Sequence, residues 1–188
     1  MKGFLLVISG PSGVGKGTVV EKLLSDNDDL VLSTSVTTRY QRDGEVDGED
    51  YYFINNEEFT HMINENELLE HAYVHGNFYG TPRRFVDEEI DKGNIVILEI
   101  DVQGAMQVKK NYENAAFIFI MPRRLKDIEK RLRNRGTESE EKISLRMQNS
   151  KKEMAYIKDY DYFVINHTVD RACEQIIDII DFEKNRRD

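Results

Sequence analysis

Nine consecutive residues constrain this chain more than any others: Gly10-Pro11-Ser12-Gly13-Val14-Gly15-Lys16-Gly17-Thr18. They follow a continuous apolar run, Phe4–Ile8, and lead into Lys16–Ser25, where Val19, Val20, Leu23 and Leu24 recur at helical spacing. A buried strand, a glycine-rich turn and a helix N-terminus in that order form an anion cradle. Successive backbone N–H groups point inward, side chains would block the approach, and the helix dipole adds positive potential. Lys16 then reaches the β- and γ-phosphates of a nucleoside triphosphate. The strict pattern has Ser or Thr directly after the lysine to bind Mg2+. Gly17 stands there instead, which leaves Thr18 as the candidate metal ligand, through its hydroxyl or a water.

Further strands are expected at Leu30–Ser35, Asn94–Ile100, Ala116–Met121 and Tyr162–Ile165, and a final helix through Cys173, Ile176, Ile177 and Ile180. Strands alternating with helices of this length predict an α/β fold, a five-stranded parallel sheet flanked by helices. Residues 36–93 have another texture: acidic, rich in tyrosine and glycine, with short pieces at Tyr51–Ile54 and Ala72–Val74. Asn55 with Glu58 three residues on predicts a capped helix start. A second helix is expected over Pro82–Lys92, opening on proline and closing at Gly93. The chain reads as a single domain over 1–188, with a core of 1–35 and 94–188 and an inserted α+β lobe at 36–93.

The net charge of −9 over 188 residues argues against a general nucleic-acid binder, because neutralising phosphates needs basic surface. That average hides an asymmetry. Gln41–Asp101 holds four basic and sixteen acidic residues, whereas Arg123–Lys152 holds eleven basic and five acidic. Such a basic stretch either exposes charge to solvent or closes over an anion held elsewhere. Arg131 and Arg135 are four apart and share a helical face; Arg133 is out of phase with them, and Arg146 lies in the next helical stretch. Cys173 is the only cysteine, so no disulfide framework is possible within the chain. Ala115–Met121, the longest apolar run, falls far below the roughly 20 residues that span a bilayer, and Phe4–Ile8 is too short for a secretory signal. A cytoplasmic protein without membrane contact is expected, as monomer or homodimer.

Beyond the loop, several clusters appear in order: Ser35-Val36-Thr37-Thr38-Arg39 with Arg42, Gly44-Glu45 and Asp50-Tyr51; then Glu70; then Gly76-Asn77-Phe78-Tyr79-Gly80-Thr81. Glu99-Ile100-Asp101-Val102-Gln103-Gly104 and Arg135-Gly136-Thr137-Glu138 complete the set. Together with Gly10–Thr18 they resemble the guanylate kinases through nearly the whole chain. The resemblance implies a P-loop kinase fold, a GMP-binding lobe at 36–93 and a helical lid at 123–152. It also implies ATP and GMP (with dGMP) as substrates and Mg2+ as cofactor. Ser35, Glu70 and Thr81 match the positions around the guanine base, with Glu45 and Glu99 in the same acceptor set. Arg135 and Arg146 match positions at the ATP phosphates, with Arg131 beside them, and Asn166 a position near the adenine. Lys16, Arg135, Arg146 and Asp101 form the implied catalytic set.

The chemistry of the residues agrees. Arg39 and Arg42 can grip a phosphate monoester as bidentate donors, with Tyr51 and Tyr79 offering hydroxyls and ring walls. Guanine presents N1–H and its 2-amino group side by side, so one carboxylate accepts both, whereas the N1 lone pair of adenine is repelled. Asp101 follows a strand at its carboxyl end, where parallel sheets hold ligands. It could orient metal-bound water or the acceptor, with Glu99 as its rival, or both could simply cap the next helix. Two other functions remain open at this level. A catalytically silent scaffold domain of the same fold would lack the phosphate loop, which is present. A kinase for another monophosphate is suggested by Lys16-Gly17-Thr18, which recurs in adenylate-kinase-like loops, and is opposed by Ser35, Glu70 and Thr81.

Overall fold

The computed structural model describes residues 3–74, 76–135 and 139–187, without the side chains of 134 and 135. The chain starts β1 (Phe4–Ser9), α1 (Lys16–Asp26), β2 (Leu30–Leu32), β3 (Val36–Thr37), β4 (Tyr52–Phe53), α2 (Asn56–Asn64), β5 (Leu68–Val74) and β6 (Asn77–Pro82). It continues α3 (Arg83–Asp91), β7 (Ile95–Glu99), α4 (Val102–Asn111), β8 (Ala115–Pro122), α5 (Leu125–Arg135) and α6 (Glu140–Glu153). A 3-10 turn (Met154–Asp159), β9 (Tyr162–Asn166) and α7 (Val169–Arg187) complete it.

The larger sheet has the order β2-β7-β1-β8-β9, and all its pairings are parallel. The inner strands β7, β1 and β8 are continuous apolar runs because both faces are covered, whereas the edge strands leave Leu32 of β2 and Phe163 and Ile165 of β9 exposed. On one face Phe4, Leu6, Ile8 and Ile118 pack with Val19, Val20 and Leu23 of α1 and Ile176 and Ile180 of α7. Cys173 is buried in this layer, its thiol 3.6 Å from the Val19 carbonyl. On the other face Leu5, Val7, Val96 and Phe119 meet Val86 and Ile90 of α3 and Val102 and Val108 of α4. Thus α3, although it falls within 36–93, packs on the large sheet. Pro82 occupies the N-cap of this helix, one residue earlier than the first-turn place expected for it.

The smaller sheet, β4-β3-β6-β5, carries a modest core of Val36, Phe59 and Leu68. The Asn55–Glu58 capping box forms at the start of α2 as the spacing predicts, with both reciprocal bonds present. The strand expected over Leu30–Ser35 divides instead. It leaves the large sheet after Ser33 N–H donates to Ile97 O (2.9 Å), and the Ser35 carbonyl already accepts from Tyr52 N–H (2.9 Å) in the small one. Apolar periodicity reports extended backbone, not its pairing partner, so this fork is invisible in one dimension.

The basic stretch forms α5 and α6, which share a separate cluster of Ile128, Leu132 and Ile143. Gly13, at φ +82°, lies under α5: a Cβ there would stand 3.2 Å from Ile128. Among the described residues no helix is long and apolar enough to cross a membrane.

Candidate active site

The phosphate loop is shaped by what holds its carbonyls. Lys16 Nζ donates to Gly10 O (2.7 Å), and Val14 N–H donates to Pro11 O (3.1 Å). Ser150 Oγ lies 3.3 Å from Ser12 O. Arg131 Nη1 (2.5 Å) and Asn166 Nδ2 (2.8 Å) both donate to Val14 O. With those oxygens engaged, the loop and the first turn of α1, whose amides have no intrahelical acceptor, present N–H groups to the cleft. Two glycines are indispensable. A Cβ on Gly10 would sit 2.1 Å from Ile120 O, and one on Gly15, at φ +92°, 2.9 Å from Asn166 Nδ2. Burial pulls the Lys16 ammonium below the ordinary lysine range, while Glu99, Glu153 and Asp101 pull it back.

Because β1 and β7 are neighbours, with Ile8 opposite Glu99, the chain leaving β7 emerges beside the loop. Asp101 accepts from Gly104 N–H at 2.9 Å, so one of its oxygens does cap α4. The same residue stands between two cavities. One, of about 690 Å³, is lined by Gly10, Ser12, Lys16, Asp101, Lys142 and Arg146. The other, of about 380 Å³, is lined by Ser35, Tyr51, Glu70, Tyr79, Glu99 and Asp101. Val74 belongs to both walls as well.

In the smaller cavity Glu70 is 8% exposed and accepts from the Thr81 hydroxyl at 2.8 Å. Gly104 makes room for it, since a Cβ there would lie 2.8 Å from Glu70 Oε2. Burial pushes the Glu70 carboxyl up to about 7, with Thr81 opposing and the Asp101 charge adding to the rise. A carboxyl raised in the fold is bound to its proton more tightly than in the unfolded chain. Its stabilisation is therefore full below pH about 4.5 and is lost as pH rises to about 7. Glu70→Gln is neutral at every pH, so it should melt higher than the parent above pH 7, by an amount worth at most about 3 kcal/mol. Calorimetry at pH 8 and at pH 4.5 reads this: equal melting shifts at both would contradict an ionised, buried Glu70.

Arg39 donates two parallel bonds to Glu45 (3.0 and 2.8 Å) and lies 5.3 Å from the ring centre of Tyr51. Glu45 also accepts from Arg42 N–H at 2.8 Å. Glu45, expected in the acceptor set, holds the Arg39 guanidinium in place. Tyr51 and Tyr79 meet edge to face at 6.0 Å. Arg131 and Asn166, expected at ATP, brace the loop carbonyl of Val14 from α5 and β9. Asn166 Oδ1 is buried with no partner among the described residues. Arg42 and Thr18 are exposed on the surface, and Arg146 faces the larger cavity. The side chain of Arg135, and Gly136, Thr137 and Glu138, lie outside the described residues. Arg133 pairs with Glu129 and Glu140 on the surface.

Several residues at the site were not legible beforehand. Lys142, Asn149 and Glu153 line the larger cavity together with the expected Arg146, as one stripe of α6. Their four-three-four spacing was the available signal; that this face meets the loop was not.

The sequence matches the family described as guanylate kinase over residues 2–183. A guanylate kinase of Clostridium tetani is 51% identical over all of this chain and 89% of its own length. One of Caldanaerobacter subterraneus is 49% identical over all of this chain and 91% of its own. The crystal structure of guanylate kinase from Anaplasma phagocytophilum superposes with a TM-score of 0.75 at 37% identity, covering 97% of this chain and 86% of that one. With the loop, the paired cavities and a match along nearly its full length, the chain belongs to the guanylate kinase family.

Proposed function

We propose that this protein transfers the γ-phosphoryl group of ATP to the phosphate of GMP, giving ADP and GDP, and accepts dGMP in the same way. The observation that carries the reading is the pair of cavities meeting at Asp101, one walled by the phosphate loop and the other by Glu70, Tyr51 and Tyr79. A GMP phosphate oxygen attacks the γ-phosphorus, the bond to the β,γ-bridging oxygen breaks, and ADP leaves with that electron pair. No side-chain nucleophile takes part, so the protein supplies position and positive charge. Lys16 and the loop amides hold the donor phosphates. Arg135 and Arg146 offset charge on the migrating group, Arg131 stands beside them, and Asn166 bounds the nucleoside end of the donor site. Arg39, Arg42, Tyr51 and Tyr79 hold the GMP phosphate, while Ser35, Glu70 and Thr81 read guanine.

The residues also fit Mg2+. Glu99 and Asp101 flank the start of α1, and the Glu99 carboxylate is 3.8 Å from where a Cβ of Gly17 would be. A hard cation held by one or two carboxylates, waters and substrate phosphates suits that set, with Thr18 as the hydroxyl candidate. When bound, the ion screens the triphosphate charge. A coupled ADP-release assay over GMP, dGMP, AMP, CMP and UMP tests the reading, which fails if AMP is used as well as GMP.

Closure is expected to precede chemistry, because water must be kept from the activated phosphate. Small-angle scattering should show a smaller radius of gyration with GMP plus a non-hydrolysable ATP analogue than without. An unchanged radius at verified saturation would argue against a moving lobe and lid.

A further inference from the structure

Glu153 is out of place electrostatically. It ends an α6 stripe that otherwise brings Lys142, Arg146 and Asn149 to the larger cavity, and it brings a negative charge to a site for a polyanion. Its carboxylate is engaged, however: Glu153 Oε2 accepts from Ser12 N–H at 3.1 Å, 141 residues away in sequence. One turn earlier, the Ser150 hydroxyl, fully buried, lies 2.8 Å from Arg146 O and 3.3 Å from Ser12 O. Both polar groups of the Ser12 main chain are thus met by residues three apart on one face of one helix.

We propose that Ser150 and Glu153 are positioning residues, a two-pronged clamp that sets the register of the lid helix on the phosphate loop and thereby places Arg146 over the transferred group. Arg146 lies seven residues before Glu153, about 10 Å along the helix axis at the usual rise per residue. A small rotation of α6 about its base is therefore magnified at the guanidinium. Ser12 is a suitable anchor. It sits between Pro11, which has no N–H to offer, and Gly13, whose left-handed backbone turns the chain away. The carboxylate remains on Ser12 N–H through the catalytic cycle, and the triphosphate uses the amides further along the loop. The clamp rests on the reading of Arg146 as a phosphate-facing cation, and the experiment separates the two.

Steady-state rates at saturating GMP are measured for Glu153→Ala, Glu153→Gln, Ser150→Ala, Arg146→Ala and the double variant Glu153→Ala/Arg146→Ala. Mispositioning one transition-state cation should lower kcat of Glu153→Ala by about tenfold with little change in KM for ATP. Glu153→Gln keeps an oxygen for Ser12 N–H and should recover most of that loss. If the clamp acts through Arg146, the double variant should be no slower than Arg146→Ala alone. The Ser12 amide proton resonance, followed by NMR, should shift in Glu153→Ala but hold its place in Glu153→Gln, with and without a non-hydrolysable ATP analogue. This readout needs no activity. An inert Arg146→Ala defeats the reading of Arg146. A slow Arg146→Ala beside a normal Glu153→Ala defeats the clamp alone. A lower KM for ATP at unchanged kcat in Glu153→Ala also overturns it, by showing that the carboxylate merely competes with phosphate. Glu153→Gln as slow as Glu153→Ala, or losses that add in the double variant, count against it equally.

Discussion

Glu70→Gln should lower kcat/KM for GMP by roughly 30- to 700-fold, equivalent to about 2–4 kcal/mol of transition-state binding for buried hydrogen bonds to a charged group. The substitution keeps the shape but turns one acceptor oxygen into an amide donor, facing guanine's own pair of donors. The Thr81 hydroxyl, now bonded to Glu70 Oε1 at 2.8 Å, can still find an acceptor in the new side chain, so the pocket wall survives. AMP should lose far less, or gain, since adenine N1 accepts from the new amide. The parent protein should favour GMP over AMP by about 10⁴ or more, as sites built to hydrogen-bond a substrate do. The comparison belongs at pH 8, above the raised Glu70 value of about 7, where the carboxylate is ionised. In the parent, kcat/KM for GMP should climb through that same region. If GMP and AMP fall together in the variant, Glu70 supports the lobe rather than reading the base. The variant should also be the more heat-stable one above pH 7, so recognition here is held at the expense of stability.

Lys16→Met should lower turnover by at least ~10² with the fold intact, the loss expected when one preorganised cation leaves a phosphoryl-transfer site. Methionine preserves reach but also drops the bond from Nζ to Gly10 O. The other braces on the loop remain, from Arg131 and Asn166 to Val14 O, so the circular dichroism spectrum and melting should change little. Near-normal turnover of a purified, folded variant would falsify the assignment of this loop to the donor phosphates.

Much of this was legible in one dimension, for physical reasons. The core strands were readable because burial on both faces leaves no polar residue in Phe4–Ile8 or Ile95–Leu98. The loop was readable because close backbone approach needs glycine at Gly10 and Gly15. What escaped was pairing. Arg39 and Glu45, both expected in the acceptor set, bond to each other as well, and six residues of separation give no sign of that. Asn166, placed by resemblance near the adenine, also turns its amide to Val14 O, a partner 152 residues away that the sequence does not announce. The strand expected over Leu30–Ser35, which forks between two sheets, shows the same blindness to partners. Local pattern encodes conformation; partners are chosen by tertiary geometry.

Among the described residues the small sheet has a core of three buried apolar side chains, Val36, Phe59 and Leu68, with Ile54, Met62, Ile63 and Phe78 partly buried against it. A unit so lightly anchored opens more readily than the layers around β1, so its amides should exchange with deuterium through local opening while those of β1 wait for global unfolding. Ligand held there stabilises the closed form by mass action, in proportion to how far its concentration exceeds the dissociation constant. On the proposed reading, GMP would act as the missing part of the lobe's interior. Exchange in β3, β5 and β6 should then slow as GMP concentration rises, which makes the smaller sheet a gauge of the acceptor.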